Sequence, residues 1–197
     1  MFDRVLEGTW VRLEPMTEEH VDGLYEAAQS SDIWAYMPRT ITTRADMVSL
    51  VKDALSAYAA GEEVPFVVTD KATDTIVGST RFLDISERNR QLEIGWTWLN
   101  PRVWRTPVNT ECKYLLLKVC FEDLKLLRVQ IKTDARNVRS QRAIERIGGV
   151  REGVLRKHRI LHDGYVRDSV YYSILDDEWP QVKERLERLM NRQPVTE

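Results

Sequence analysis

The most informative segment of the sequence is Trp96-Thr97-Trp98-Leu99-Asn100-Pro101-Arg102-Val103-Trp104-Arg105-Thr106-Pro107-Val108-Asn109-Thr110-Glu111. It runs from a strand, through a loop that Asn100-Pro101 opens, into a helix. A helix N-terminus presents free N–H groups and the positive end of a dipole, which together bind anions such as a pyrophosphate. Arg102 and Arg105 add charge to the loop. An ordinary strand-to-helix connection with solvated arginines is the alternative interpretation.

The elements around this junction alternate between strand and helix patterns. Upstream, the periodicity predicts a strand at 10–15, helices from 17 and over 44–60, and then strands at 65–70, 75–85 and 90–99. Downstream, it predicts a helix at 109–124, a strand at 127–133, a helix at 137–147, a hairpin of 153–161 and 167–175, and a last helix from about 177. This order predicts a mixed α/β fold in which one strand–helix–strand crossover is parallel.

Length and composition indicate one globular domain over residues 1–197. Hydrophobic residues make up 43% of the chain and charged residues 30%, which is a folded rather than a disordered balance. Twenty-nine basic against 31 acidic residues give a net charge of −2. This balance argues against a protein whose main partner is nucleic acid.

The compartment is predicted to be the cytoplasm. The sequence has no apolar run of about 18 residues that would span a membrane, and its start, residues 1–7, lacks the apolar core of a signal peptide. Cys112 and Cys120 are predicted to lie on one helix, where about 12 Å would separate their Cα atoms, too far for a disulfide. We therefore interpret both as reduced thiols.

Motifs for metal binding and for nucleophilic catalysis are absent. His20, His158 and His162 make no HExxH or paired Cys/His spacing, and we interpret each as a surface or turn residue. No GxSxG or GxxxxGK[ST] occurs. The prediction is that no metal is bound.

A second informative stretch begins at Asn137, which follows a strand and opens a helix with Ser140 in its first turn. Taken alone, Asn137 is a helix N-cap. The pattern Asn-x-x-Ser-x-x-Ala-x-x-x-x-Gly from Asn137 to Gly148, the junction at 96–111 and the order of elements together resemble the GCN5-related N-acetyltransferase (GNAT) superfamily. Within it, the chain resembles the RimJ/RimL-type ribosomal-protein N-acetyltransferase branch. Further matches are residues 8–15, 92–96, 152–156, Asp163-Gly164 and Asp168.

The resemblance covers about residues 8–176, with a C-terminal helix at about 177–190. It implies a central, twisted, mostly antiparallel sheet of about seven strands, flanked by helices, in which a parallel pair splays apart. It also implies an acyl-CoA, most simply acetyl-CoA, as co-substrate and a primary amine, such as a protein N-terminus or a small-molecule amine, as acceptor. A homodimer is a further expectation.

The resemblance also implies a set of site residues. The pantetheine arm of CoA would enter between strands 90–99 and 127–134, pair with the main chain of Trp98 and Leu99, and bond to Asn137. Its pyrophosphate would lie over loop 102–110. The residues implied for CoA binding are Trp98, Leu99, Arg102, Arg105, Thr106, Val108, Asn109, Thr110, Asn137 and Ser140.

Two positions depart from the family pattern. The phosphate loop of the family has glycines where this chain has Pro107 and Asn109, and proline has no N–H to donate. The tyrosine that protonates the leaving thiolate in many members is replaced by Ile144, and Ser140 is the substitute that the branch suggests. The loop therefore either binds phosphate with more help from side chains or belongs to a catalytically silent CoA-binding module.

Transfer to an amine also requires a group that takes the amine's proton. Glu93 is the first candidate because it lies on a strand that borders the predicted cleft, with Asp84 and Asp168 in reserve. The alternative is that Glu93 is a solvated strand carboxylate. The predicted catalytic residues are thus Glu93 and Ser140.

Overall fold

The computed structural model describes residues 4–191. Within that range, eight strands form one sheet in the order β1-β2-β3-β4-β5-β6-β8-β7, and every neighbouring pair is antiparallel except β5 and β6. The strands are β1 Leu6–Glu7, β2 Val11–Pro15, β3 Val64–Asp70, β4 Thr75–Ser86, β5 Gln91–Leu99, β6 Arg128–Asp134, β7 Val150–Ile160 and β8 Val166–Leu175. The mixed α/β, mostly antiparallel fold is therefore confirmed, with one strand more than expected.

Six α-helices accompany the sheet in the described range. They are α1 Val21–Ala27, α2 Ser31–Trp34, α3 Arg44–Ala59, α4 Pro107–Lys118, α5 Val138–Arg146 and α6 Trp179–Asn191. Short 3₁₀ helices lie at Glu18–His20 and Pro101–Val103, and a π-helical turn at Val119–Asp123 extends α4. None of these helices is long and apolar enough to cross a membrane.

The helices form two layers on opposite faces of the sheet. Helices α4, α5 and α6 pack with Phe66, Phe82 and Ile94 in one apolar cluster, whereas α1, α2 and α3 pack with Val67 and Trp98 in another. Adjacent residues of a strand point to opposite faces, so Phe66 and Val67 mark the two sides. Both cysteines are buried and unpaired in the α4 layer.

The sequence-based boundaries need four corrections. Strand β1 was missed because two residues are too short for a periodic signal, and α2, a single turn, was missed for the same reason. Helix α4 begins at Pro107 rather than Asn109, because Thr106 is its N-cap and Pro107 occupies its first turn. Strand β7 begins at Val150, three residues early, and it is exposed along nearly its whole length as the edge of the sheet.

Helix α4 is fixed to the start of the chain by Glu111, which is only 5% exposed. Its carboxylate accepts hydrogen bonds from the backbone N–H groups of Thr9 (2.8 Å), Trp10 (2.6 Å) and Val11 (2.8 Å). These groups lie in the turn after β1 and at the first residue of β2, so one carboxylate satisfies three donors. The contact holds α4, and with it the start of that helix, against the sheet.

We expect Glu111→Ala to lower the free energy of unfolding by about 2 kcal/mol. Thr9 and Trp10 are exposed residues at which water can replace the carboxylate, but Val11 is buried and its N–H would lose its partner inside the fold. Urea denaturation measures the change, with Glu184→Ala on exposed α6 as the control, expected within about 0.5 kcal/mol of the parent. Equal unfolding midpoints for the two variants would refute the anchoring role.

Candidate active site

The parallel strands β5 and β6 pair only at their beginnings. Gln91, Leu92 and Glu93 are in register with Arg128, Val129 and Gln130, and beyond Glu93 no residue of β5 pairs with β6. Each strand then leads into a helix, β5 into α4 and β6 into α5. The strands thus open a wedge-shaped gap (the gap), which is closed at Glu93 and open towards the N-termini of α4 and α5.

A β-bulge in β5 accounts for this divergence. Ser79 pairs with Trp98 and Arg81 with Gly95, so Trp96 and Thr97 together oppose Thr80 alone. Trp96 adopts a φ of +49°, which is unusual for a bulky residue. A bulge bends its strand, and here it lies on the stretch of β5 that no longer pairs with β6.

The loop between β5 and α4 is held by its own side chains. The Asn100 side chain accepts from Arg102 N (3.0 Å), and the Trp104 indole donates to the carbonyl oxygen of Leu99 (2.9 Å). Thr106 caps α4, and Pro107 takes the first helical position, where an N–H would have no helical partner. Pro107 therefore fits the local geometry and removes no hydrogen bond from the helix.

The residues predicted to bind phosphate separate into two groups. Arg102, Arg105 and Asn109 keep exposed or partly exposed side chains, although Arg102 also donates to Thr75. The others face inward: the Thr106 hydroxyl donates to the Val103 carbonyl (2.7 Å), Val108 is 4% exposed, and Thr110 is 1% exposed.

Thr110 also accepts a hydrogen bond from Arg146 Nη2 at 3.0 Å. Buried on α4 and already partnered, its hydroxyl serves the contact between α4 and α5 rather than a ligand. We therefore withdraw Thr110 from the proposed phosphate contacts. The backbone N–H groups of Thr106 and Val108 also have partners, the Val103 carbonyl (3.4 Å) and the Thr106 hydroxyl (3.4 Å), so the proposal for the helix start rests on Asn109.

Sequence reasoning missed Arg139. Its guanidinium carbon lies 3.6 Å from the centroid of the Trp104 ring, a cation–π contact that joins the first turn of α5 to the loop before α4. A third arginine therefore lies beside the loop with Arg102 and Arg105. No local pattern indicates it, because Arg139 is 35 residues further along the chain than Trp104.

Trp98 and Leu99 were predicted to offer main-chain groups to the gap. The Trp98 side chain packs in the α1–α3 layer, with its ring 5.3 Å from that of Trp34, and the role of its main chain stays a prediction. The Leu99 carbonyl already accepts from Trp104. Of the Leu99 main chain, we therefore expect only the N–H group to bond to CoA.

Asn137 and Ser140 lie together at the start of α5. The Asn137 side-chain oxygen accepts from Ser140 N (3.0 Å), so the N-cap interpretation is confirmed. This cap uses only the oxygen of the amide and leaves its NH₂ group as a donor. Both side chains are partly exposed, and within residues 4–191 the Ser140 hydroxyl has no hydrogen-bond partner.

Glu93 closes the gap and is not solvated. It is 2% exposed, and its carboxylate accepts from Lys132 Nζ (2.7 Å) and Gln130 Nε2 (2.8 Å). Burial raises its pKa above the ordinary range of a glutamate, while Lys132 and Gln130 act in the opposite direction. The interpretation of Glu93 as a solvated carboxylate is therefore wrong.

Glu93 belongs to a row of polar side chains on the sheet. Val129, Ile131, Val170 and Tyr172 point into the α4 layer, so the residues between them point to the opposite side. We call this surface the polar face. It consists of Glu93, Gln130, Lys132, His158, Arg167, Ser169 and Tyr171.

The interpretation of His158 as a surface or turn residue is wrong. It lies within β7, half-buried, with Nδ1 2.9 Å from Ser169 Oγ and Nε2 3.2 Å from Tyr171 OH. Burial and nearby cations lower its pKa, which favours the neutral imidazole. His20 and His162 do lie in a short helix start and a turn, as predicted.

The two reserve carboxylates differ in position. Asp84 lies 3.6 Å from Lys132 Nζ and keeps 64% of its side chain exposed, so it borders the polar face. Asp168 accepts from the backbone N–H of Lys157 (2.7 Å) beside an irregularity in the β7–β8 pairing. Its neighbours in β8, Arg167 and Ser169, point to the opposite side, so Asp168 is set apart from the polar face.

Comparison with known proteins gives a consistent picture. Residues 11–150 match the family model described as an acetyltransferase (GNAT) domain. The uncharacterized N-acetyltransferase YnaD of Bacillus subtilis is 28% identical over 156 residues, which are 79% of this chain and 88% of that protein.

Solved structures agree with the fold. A GCN5-related N-acetyltransferase from Brucella melitensis superposes with a TM-score of 0.88 at 30% identity, covering 94% of this chain and 85% of that one. Mycobacterium smegmatis RimJ in complex with CoA-disulfide superposes with a TM-score of 0.79 at 21% identity, covering 94% and 91%. The second likeness concerns the fold alone.

Proposed function

Because the chain belongs to the GNAT family of N-acetyltransferases, we propose that it transfers the acetyl group of acetyl-CoA to a primary amine, either a protein N-terminus or a small-molecule amine. The observation that carries the proposal is the gap between β5 and β6, which Glu93 closes at one end and the starts of α4 and α5 flank at the other. The gap can hold an extended arm, because strand edges without a partner offer backbone groups for hydrogen bonds.

In this proposal the pantetheine arm of CoA lies in the gap and the pyrophosphate lies at the start of α4. Asn109 N–H, the helix dipole, and the side chains of Arg102 and Arg105 supply positive charge there. Asn137 donates its NH₂ group to the arm. These residues fit CoA because donors gather at the outer end of the gap and the polar face begins at the inner end.

The reaction needs a base, an acid and alignment. The free amine attacks the thioester carbonyl, the new C–N bond forms, and the C–S bond breaks. Glu93 takes the proton of the amine, directly or through water, and Ser140 hydrogen-bonds the sulfur as negative charge develops on it. Lys132 keeps the Glu93 carboxylate oriented at 2.7 Å. Positioning of the two reactants supplies much of the rate.

We expect Arg105→Ala to weaken CoA binding by about tenfold or more, since a charge-assisted contact contributes roughly 1.5–3 kcal/mol. Calorimetric titration with CoA measures this for Arg105→Ala and Arg102→Ala. Arg88→Ala is the matched control, because Arg88 is exposed in the β4–β5 turn at the other end of β5. Unchanged affinity in both Arg102 and Arg105 variants would remove the arginines from the phosphate site.

The proposed activity is tested with the wild-type chain, acetyl-CoA and a panel of amines that includes peptides with free N-termini, amino acids, polyamines and amino sugars. We expect release of CoA thiol in step with acetylation of one amine class, detected by mass spectrometry. Tight CoA binding without release from any amine would instead identify a catalytically silent CoA-binding module. A homodimer stays a prediction, and sedimentation of the purified chain tests it.

A further inference from the structure

Arg167 is buried on the polar face without an acceptor for its guanidinium. It lies on β8 two residues before Ser169 and is 7% exposed. Among residues 4–191 its guanidinium forms no hydrogen bond or ion pair, and its Nε is completely enclosed. Burying a charged group without a partner costs free energy, so this arrangement needs an explanation beyond stability.

The carboxylates near Arg167 are already bound to other cations. Asp134 and Glu93 are the acidic groups that act on it electrostatically. Asp134 accepts from Arg136 through N (2.8 Å), Nε (3.1 Å) and Nη2 (2.9 Å). Glu93 accepts from Lys132 and Gln130. Neither carboxylate therefore neutralises Arg167 by direct contact.

The charged side chains around Arg167, including Arg167 itself, add up to a net charge of one positive unit. Arg136, Lys132 and Arg167 face two buried carboxylates, Asp134 and Glu93. At the exposed rim, Asp84 near Lys132 and Arg159 near Arg167 add one charge of each sign. Burial also lowers the pKa of Arg167, as expected for a cation short of counter-charge.

Within the described residues 4–191, Arg81 is the other arginine buried this deeply, and it provides a contrast. Arg81, at 5% exposed, donates to Glu63 at 2.8 Å and lies 4.6 Å from the Trp96 ring centroid. Its environment is that of a structural ion pair. Arg167 is as buried as Arg81 but has no comparable partner. It lies on the polar face, on which the acceptor amine would approach Glu93.

We propose that Arg167 binds a carboxylate carried by the acceptor, so that the substrate is an amine that also bears an acidic group. The proposal rests on the transferase function given above and names its substrate class. A guanidinium suits this task because its donors match a carboxylate in a planar, two-point contact. The amine end of the same molecule would then point along the polar face towards Glu93 and the gap.

The test uses matched acceptor pairs that differ only in charge. One pair is a free amino acid and its carboxamide, and the other is a short peptide with glutamate or glutamine in second position. We expect wild-type kcat/KM to be at least tenfold higher for the acidic member of one pair, and the responding pair shows whether the carboxylate comes from an amino acid or a peptide.

Variants assign the preference to Arg167. We expect Arg167→Met to abolish this preference mainly through KM of the acidic acceptor, with KM for acetyl-CoA unchanged, so that kcat/KM falls at least tenfold more for the acidic acceptor than for its neutral counterpart. Arg167→Lys should restore part of the preference. Arg159→Met is the matched control, since Arg159 faces Arg167 in the β7–β8 register but is exposed, and it should keep the full preference.

The melting temperature of Arg167→Met distinguishes a role of Arg167 in substrate binding from a structural role. If the buried guanidinium serves the substrate, Arg167→Met melts at or above the wild-type temperature, because an unpaired buried charge is removed. Melting far below wild type with the acidic preference intact would overturn the proposal. Turnover without any acidic preference would overturn it while leaving the transferase intact, whereas failure of every amine would overturn both.

Discussion

Glu93→Gln is expected to lower kcat by about 10²–10⁴-fold near neutral pH, the range typical of a lost general base. The glutamine keeps the shape and one acceptor oxygen but cannot take a proton from the amine. Because burial raises the pKa of Glu93, the wild-type rate should fall on acidification before an ordinary glutamate would protonate. The deficit of the variant should shrink at high pH, where the amine is already free.

The control for Glu93→Gln is Glu152→Gln. Glu152 is also paired with a cation, Arg128, beside the same strands, but it lies away from the gap and is partly exposed. Removing its charge should change the rate by less than about threefold, since a surface ion pair contributes little. If both variants keep nearly full kcat from pH 6 to 9 with a competent acceptor, the proton leaves through bulk water and Glu93 is not the base.

Ser140→Ala is expected to lower kcat by about 10²–10³-fold, as for the loss of one donor to a developing charge. The affinity for CoA should change little, because the contact gains strength only as the thiolate forms. The variant keeps the Asn137 cap, which uses the backbone N–H of residue 140. Single-turnover thiol release measures the chemical step directly.

Arg142→Ala on exposed α5 provides the comparison for Ser140→Ala and should leave kcat unchanged. With a slower acyl donor whose thiol is a poorer leaving group, Ser140→Ala should cause a larger loss of kcat. If Ser140→Ala lowers CoA affinity and kcat by equal factors, Ser140 contributes to CoA binding and does not stabilise the leaving thiolate.

Local sequence signals correctly predicted the strands and the helix start that surround the candidate site. Alternating patterns placed β5 and β6, and Asn137 marked the start of α5 through its cap. Even the departure at Pro107 agrees with a rule for helix starts, because the first helical position has an N–H without a helical partner. Such features depend on a few neighbouring residues, so they are visible without tertiary structure.

Contacts between residues far apart in the chain could not be predicted from local sequence patterns. The Lys132 contact that buries and orients Glu93 joins residues 39 positions apart, and the Arg139–Trp104 contact joins residues 35 apart. His158 has no sequence motif, because its partners Ser169 and Tyr171 reach it through the β7–β8 pairing. Strand register decides these neighbours, and register is set by the whole sheet.

The proposed position of CoA between β5 and β6 is tested by a crystal structure of the chain with CoA bound. We predict that the pantetheine arm lies between β5 and β6 beyond Glu93, that the pyrophosphate lies at the start of α4 near Arg102 and Arg105, and that the thiol lies within hydrogen-bonding distance of Ser140. CoA bound elsewhere on the chain, with β5 and β6 closed against each other, would contradict the assignment of the gap as the active site.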